Sequence, residues 1–305
     1  MSAGSVGVVG TGFIGASWTT HFLARGYDVL AYDVADDAEE RLRAGVGKRW
    51  DAACRLAPDR DRGTLSVVGD LTEAVDGVML VQENLPEHLD LKQEVLSHAD
   101  AAAAAEVVIA SSSSALRPTD LQAHCDHRPG RVVVGHPFDP PHIVPLVEVV
   151  GGEASSTADV RRALDAYTAL GKRPIHVRAE LVGHVANRLQ GALWREAYSL
   201  VATGAVSVAD VDTAISAGPG LRWAQYGPFV NLHLSGGEGG LADIHDRMGP
   251  TMEAIWADQT TPTLDDELRA RVEEEAAAVV ADGAEAVRRR REELLVQLLR
   301  IQSES

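Results

Sequence analysis

The sequence predicts an α/β protein. A mostly parallel sheet with helices on both faces should occupy residues 1–180, and an all-helical domain residues 181–305. Three observations lead there. Short runs rich in β-branched residues alternate with helical patterns up to about residue 177, the grammar of a parallel sheet covered by helices. After about Glu180 the alternation stops and only helical periodicity continues. A chain of 305 residues also exceeds the usual size of one core, so two domains are the default.

The strand runs are "VGVV", "DVLAY", "LSVV", "VMLVQ", "EVVIA", "RVVVGH", "PLVEVV" and "PIHV". An amphipathic helix is expected from Phe13 to Arg25 between the first two, and the alanines Ala101–Ala105 read as a helix end before the fifth. In the second part, Val182, Val185, Leu189, Ala192, Leu193, Leu200 and Val201 recur near helical spacing in a segment that ends at Gly204. The closing stretch reads as one or two charged amphipathic helices with a break at Gly283, the charges forming a solvated face.

Composition disfavours several classes. A net charge of −17 disfavours nucleic acid and anionic membranes, which would be repelled over a broad surface. The N-terminus has no cationic region followed by a long apolar one, and no apolar run approaches the ~20 residues of a spanning helix, so a cytoplasmic protein is expected. Cys54 and Cys125 show no paired or metal-type spacing and are read as reduced; no metal site is expected.

Chemistry first appears in "VGVVGTGFIGASWTTHFLARGYDVLAYD". A strand turns through Gly10, Gly12 and Gly15 into a helix, and a second strand ends at Asp33, 18 residues after Gly15. In this context G-x-G-x-x-G is a dinucleotide turn of the Rossmann type. Gly10 permits the tight turn, Gly12 lets the backbone approach a pyrophosphate, and Gly15 lets helix pack on strand, while the N–H groups near Phe13 and Ile14 face the anion. Asp33 would accept from both ribose hydroxyls and repel a 2′-phosphate, so NAD is favoured over NADP.

A second candidate site is "GHPFDPPHIVPLVEVV", residues 135–150, where Pro137, Pro140, Pro141 and Pro145 stiffen the backbone between His136 and Glu148. His136 ends a strand, and strand C-termini in open parallel sheets face the ligand crevice. If the proline loop folds the next strand back beside the first, Glu148 reaches the imidazole and fixes its tautomer. A base beside bound NAD fits alcohol oxidation. The chain's other histidines, ten of 11, are mostly read as structural.

Five motifs occur in order: "GVVGTGFIG", "VQENLPEHLDLKQEVL", "ASSSSALRP", "GHPFDPPHIVPLVEVV" and "ANRLQGALWREAYSLVATGAVSVADVD". Through them the chain resembles the 3-hydroxyacyl-CoA dehydrogenase superfamily over nearly its whole length. Some stretches are similar to the L-carnitine dehydrogenase branch ("GLRWAQ", "SGGEGG"), others to the L-gulonate 3-dehydrogenase, or lambda-crystallin, branch ("LPEHLDLK", "PPHIVPLVE"). The resemblance implies His136 as general base, Glu148 as its orienting carboxylate, Ser114 and Asn187 as hydrogen-bonding groups near substrate and nicotinamide, and Glu87 and Lys92 at the NAD ribose. It also implies a homodimer through the helical domain, for which Trp223, Tyr226 and Phe229 are candidate anchors; an intramolecular core is the other reading of those aromatics.

The sequence departs from the family at two positions. Asp139 stands where asparagine is usual, and Ser112 where many acyl-CoA members have asparagine. Asp139 adds a negative charge near the base, favours a cationic substrate group, or caps the turn before Pro140. The expected activity is NAD-dependent oxidation of the 3-hydroxyl of a small polar 3-hydroxy acid, gulonate-like or carnitine-like. The alternatives are a 3-hydroxyacyl-CoA or carrier-protein thioester dehydrogenase, and a crystallin-like structural or nucleotide-binding protein, against which the retained His136 and Glu148 argue. Residues 34–64 hold seven basic and seven acidic side chains, a neutral arm that offers little attraction to a CoA polyanion. A free acid is therefore expected, with Arg222 as its carboxylate partner or, otherwise, in a surface ion pair. Clustering of Arg41, Lys48 and Arg49 on one helix face leaves a phosphate site open.

Overall fold

The computed structural model describes residues 4–280 and 283–304. All eight expected runs form strands: β1 (Ser5–Val9), β2 (Asp28–Tyr32), β3 (Leu65–Val67), β4 (Leu80–Glu83), β5 (Val108–Ser111), β6 (Val132–Pro137), β7 (Leu146–Gly151) and β8 (Arg173–Val177). They make one sheet in the order β3-β2-β1-β4-β5-β6-β7-β8. Neighbours run parallel except β6 and β7, which are antiparallel. The exception follows from the connection: a parallel return needs a crossover of a dozen or more residues, and the short proline loop allows only a reversal.

Six helices flank the strands: α1 (Phe13–Ala24), α2 (Ala38–Arg55), α3 (Leu71–Val75), α4 (Leu89–Ala102), α5 (Pro118–Gln122) and α6 (Thr157–Ala169). Strand residues alternate between two cores, as the period of two requires. Val133, Val147 and Val149 join Trp18, Leu42 and Tyr167 on one face. Val132, Val134 and Val150 join Leu96 and Leu121 on the other. Against expectation, α1 is not amphipathic: every residue from Gly15 to Ala24 is buried. Four of its polar side chains find internal partners, Ser17 with His142, Trp18 with Ser112, Thr20 with the Ala16 carbonyl and His21 Nε2 with the Leu170 carbonyl, while the buried Thr19 hydroxyl has none.

The chain divides into two compact units, one running through Arg188 and including Glu292–Arg300, the other spanning Leu189–Arg291 and resuming at Ile301. In the first unit, Val296 packs with Ala52 of α2 and Ile143 of the proline loop. The described residues of the second unit are helical or irregular, with no strand. After the bulk of α7 (Ala186–Ala202) come α8 (Val208–Ser216), α9 (Pro219–Trp223), α10 (Pro228–Ser235), α11 (Gly240–Asp258), α12 (Asp266–Val279) and α13 (Ala284–Glu304). The last two flank Gly283. A capping box between Ser207 and Asp210 starts α8, and the Val208 N–H donates to Glu275 at 2.8 Å.

The apolar pattern that begins at Val182 overshoots its helix. Gly183 and His184 have φ of 75° and 48°, so the chain turns there and α7 starts only at Ala186. Within the chain Val182, Leu189 and Leu193 remain exposed.

Candidate active site

β1, β4, β5 and β6 are parallel neighbours, so the residues that follow or end them gather at one edge of the sheet. At the end of β1, Gly10 has φ of 86°, in the left-handed region. A Cβ on Gly15 would stand 2.0 Å from the Gly10 carbonyl oxygen, so only glycine allows α1 to pack there. A Cβ on Gly12 would meet nothing within 4 Å. The first helical bond in this turn runs from the Ala16 N–H to the Gly12 carbonyl at 2.8 Å, which places the Phe13 and Ile14 N–H groups ahead of the ladder. Space above Gly12, free donors and a helix N-terminus fit a pyrophosphate. Phe13 is 62% exposed, with the Arg49 guanidinium 4.6 Å from its ring centre.

Asp33 follows β2. Its Oδ2 accepts the Thr11 N–H at 2.7 Å and the Thr11 hydroxyl at 2.9 Å, and its Oδ1 accepts the Ala35 N–H at 3.1 Å. Burial alone favours the protonated acid, yet the donors of Thr11 and Ala35, with Arg41 nearby, hold the carboxyl below its ordinary range. The carboxylate is thus fixed and charged beside the glycine turn, with acceptor capacity left on Oδ1.

The next layer comes from β4 and β5. Glu83, buried at the end of β4, accepts Lys92 Nζ at 2.7 Å and the Leu85 N–H at 2.5 Å on Oε1, and the Ser111 hydroxyl at 2.5 Å on Oε2. Lys92 is itself buried, and its ammonium also reaches the Leu85 carbonyl at 3.0 Å and Glu87 at 3.7 Å. Its donors are engaged by the protein, which makes it a brace for the 83–87 loop. Glu87 Oε1 accepts the Ser113 hydroxyl at 2.6 Å and the N–H groups of Ser114 and Ala115, each at 3.1 Å. Burial favours its neutral form, but Ser113, Lys92 and these two N–H groups hold the carboxyl low. Ser114, an exposed residue of this loop, is thereby held by Glu87 through its backbone. Ser112 donates to Asn84 at 2.7 Å and accepts from Gln82 at 2.9 Å and Trp18 at 3.3 Å.

His136 and Glu148 face each other across β6 and β7. Glu148 Oε2 accepts the His136 Nδ1–H at 2.9 Å; its Oε1 accepts the N–H groups of Val185 at 2.8 Å and Ala186 at 2.9 Å. A carboxylate only accepts, so Nδ1 carries the proton and Nε2 keeps its lone pair. Burial pushes the Glu148 carboxyl up, and the His136, Ala186 and Val185 donors more than offset this. The same two N–H groups tie the start of α7 to β7, and Asn187, half-buried, follows in that first turn.

The proline loop is clamped from beneath. Lys172, buried and 4.6 Å above the Trp18 ring, donates to the carbonyls of Pro141 and Val144, the latter at 3.0 Å. The His142 N–H donates to the Ser17 hydroxyl at 3.0 Å, that hydroxyl donates to His142 Nδ1 at 2.9 Å, and Nε2 lies 3.2 Å from Glu292. Asp139 is exposed at the head of this loop, and its charge acts on Arg49. Arg222 is exposed on α9 in the second unit.

Sequence reasoning missed His184. Its ring lies 5.0 Å from that of His136, and it is the one described non-glycine residue with positive φ. The available signal was a histidine directly after a glycine, three residues ahead of Asn187. Lys172 and Glu83 carried no local signal. Cys54 and Cys125 are both free, with burial pushing the Cys125 thiol up to about 12. Among the described residues, no helix is long and apolar enough to cross a membrane.

Comparison with known proteins bears on this arrangement. Residues 5–180 match the family described as 3-hydroxyacyl-CoA dehydrogenase, NAD binding domain, and residues 183–288 match its C-terminal domain. The L-carnitine dehydrogenase of Streptomyces griseus is 48% identical over 262 residues, covering 85% of this chain and 78% of that protein. That of Bacillus cereus is 41% identical over 299 residues, covering 97% and 91%. Among solved structures, 5-formyl-3-hydroxy-2-methylpyridine 4-carboxylic acid 5-dehydrogenase, an NAD+-dependent dismutase, superposes with a TM-score of 0.84 at 29% identity over 99% of each chain. With both parts matched in order, the chain belongs to the 3-hydroxyacyl-CoA dehydrogenase family and is an NAD-dependent oxidoreductase acting on CH–OH groups.

Proposed function

We propose that the protein oxidises the 3-hydroxyl of L-carnitine, or of a closely similar small 3-hydroxy acid, to the 3-keto acid. The observation that carries this reading is the buried His136–Glu148 pair, with Nε2 left as a proton acceptor at the sheet edge that also bears the glycine turn. His136 Nε2 takes the hydroxyl proton. Glu148 stabilises the imidazolium that forms, as a fixed, charged partner at Nδ1. Held at the glycine turn, NAD would supply the acceptor for the C3 hydride, and the alcohol would end as a carbonyl. Ser114 and Asn187 hold the reacting oxygen without competing for its proton. Gly10, Gly12, Phe13, Ile14 and Gly15 receive the pyrophosphate, Asp33 takes the ribose hydroxyls, and Glu87 and Lys92 shape the cofactor side of the pocket.

The chemistry of α2 supports a free acid over a thioester. Arg41 pairs with Asp37 at 3.1 Å and Arg43 with Glu39 at 2.8 Å, while Arg49 caps Phe13 and donates to the Gly45 carbonyl. With Arg62 on the carbonyls of Ala24 and Ala57, four of the arm's seven cations have partners within the protein. In this reading Asp139 favours the cationic end of the substrate. Residues 1–180 act as the cofactor domain and residues 181–305 as the substrate and dimerisation domain. Trp223, Tyr226 and Phe229, exposed by 44%, 55% and 74%, anchor a homodimer; light scattering of the purified protein tests that point.

The test is NADH formation with L-carnitine, D-carnitine, L-gulonate, 3-hydroxybutyrate and 3-hydroxybutyryl-CoA in parallel. The highest kcat/KM is expected with L-carnitine, and His136→Ala should lower it by roughly 10²–10⁴-fold. Greater efficiency with the thioester than with every free acid would refute the proposal.

A further inference from the structure

His184 combines four properties that no structural role requires together. It is 2% exposed, in the turn between β8 and α7. Its φ of 48° holds a side chain with a Cβ in the left-handed region, which is uncommon outside glycine. Its Nε2 lies 3.2 Å from the Ser113 carbonyl oxygen, an acceptor, so Nε2 carries the proton and Nδ1 carries a lone pair. That Nδ1 is buried and has no hydrogen-bond partner. A buried acceptor left unpaired is costly, so this atom calls for a donor that the chain itself does not supply.

The surroundings define where the lone pair works. The His184 ring is 5.0 Å from the His136 ring at an interplanar angle of 46°. The next two residues give their N–H groups to Glu148. Ser113, whose carbonyl accepts the Nε2–H, is bound through its hydroxyl to Glu87 and precedes Ser114. His184 therefore bridges the serine loop and the start of α7 around the His136 imidazole. Burial first, then the neighbouring His136, lowers its affinity for a proton, so it stays neutral and the lone pair remains available.

We infer that His184 is a ligand-positioning residue whose Nδ1 accepts a hydrogen bond from the carboxamide N–H of the bound nicotinamide. This inference rests on the proposed dehydrogenase site. The substrate hydroxyl has a single hydrogen, which goes to His136 Nε2, so the carboxamide is the reactant group with a donor to spare beside that histidine. An acceptor held neutral would fix the carboxamide's orientation, while removal of the hydroxyl proton stays with His136 Nε2.

The experiment compares wild type, His184→Phe and His184→Asn. Phenylalanine keeps ring volume and loses both nitrogen functions. Asparagine tolerates the left-handed backbone but is too short to span from the Ser113 carbonyl to a ligand. Thermal unfolding identifies the folded variants, and each is titrated with NADH and with reduced 3-acetylpyridine adenine dinucleotide, which lacks the carboxamide N–H. Loss of one hydrogen bond should weaken binding roughly three- to tenfold. If the carboxamide is the donor, NADH affinity falls by that factor and affinity for the analogue does not. A folded variant with unchanged NADH affinity overturns the inference. The NADH titration is independent of substrate identity, so failure of the carnitine reading leaves that arm decisive for the cofactor.

Discussion

Replacing Glu148 by glutamine removes one acceptor and, by our reasoning, moves a proton on its neighbour. In the native protein one carboxylate oxygen accepts from Val185 and Ala186, at 2.8 and 2.9 Å, and the other accepts His136 Nδ1–H at 2.9 Å. Glutamine has a single oxygen to serve both. Turned towards His136, it would set its NH₂ against two buried N–H donors, and leaving both unpaired costs about 2–6 kcal/mol at about 1–3 kcal/mol each. The oxygen therefore stays with Val185 and Ala186, and the NH₂ donates to His136 Nδ1. The imidazole must then carry its proton on Nε2, the atom that should receive the substrate's. The same tautomer fault, produced by Asp→Asn in the serine-protease triad, lowers kcat by about 10⁴-fold. About 5.4 kcal/mol of transition-state stabilisation is at stake, at about 1.36 kcal/mol per decade. Steady-state NADH formation at neutral pH reads this directly. Dinucleotide affinity should hold, because the glycine turn is untouched. A folded Glu148→Gln enzyme with kcat within about tenfold of wild type would refute the tautomer argument.

Three further outcomes are expected. Asp33→Ala should narrow the preference for NAD over NADP in kcat/KM, since it removes both an acceptor for the ribose and the repulsion of a 2′-phosphate; equal efficiencies already in wild type would sink the argument. Gly12→Ala should leave the thermal midpoint near wild type and weaken NAD binding, whereas Gly15→Ala, whose Cβ would press 2.0 Å from the Gly10 oxygen, should destabilise the fold by about 1–3 kcal/mol or more. His142 is held down to about 3, by burial first and then the charges of Arg49 and Lys172. Its unfolded form protonates near 6.5, so between about pH 6.5 and 3 the unfolded chain binds about one more proton, and this residue's contribution to stability falls by about 1.4 kcal/mol per pH unit on acidification. His142→Gln should flatten that part of the stability curve, and an unaltered slope would show that His142 does not titrate as described.

Much of the sheet was legible because its signals are local. Each of the eight strands lies in a run of β-branched residues, and the glycine spacing at Gly10, Gly12 and Gly15 encodes a turn within six residues of chain. The fold-back of β7 onto β6 was readable only as a condition on the proline-rich loop; the structure meets it, since the eight residues between Pro137 and Leu146 leave no length for a crossover. Where periodicity was the only guide it misled. The apolar pattern from Val182 continues through a turn that φ angles of 75° and 48° make non-helical, and α1 is buried on every side although its sequence suggested one wet face.

What the sequence by itself determined, then, is the set of parts: the strands and the dinucleotide turn. Those follow from side-chain shape and short-range backbone preference, which act over a few residues. The tertiary structure alone decided which parts meet. Ser17 and His142 are 125 positions apart, His142 and Glu292 150, and Ser113 and His184 71. No local preference records such pairs. They exist because packing the sheet edge encloses polar groups that must then find partners, and Lys172, Glu83 and His184 acquire their roles only from that enclosure.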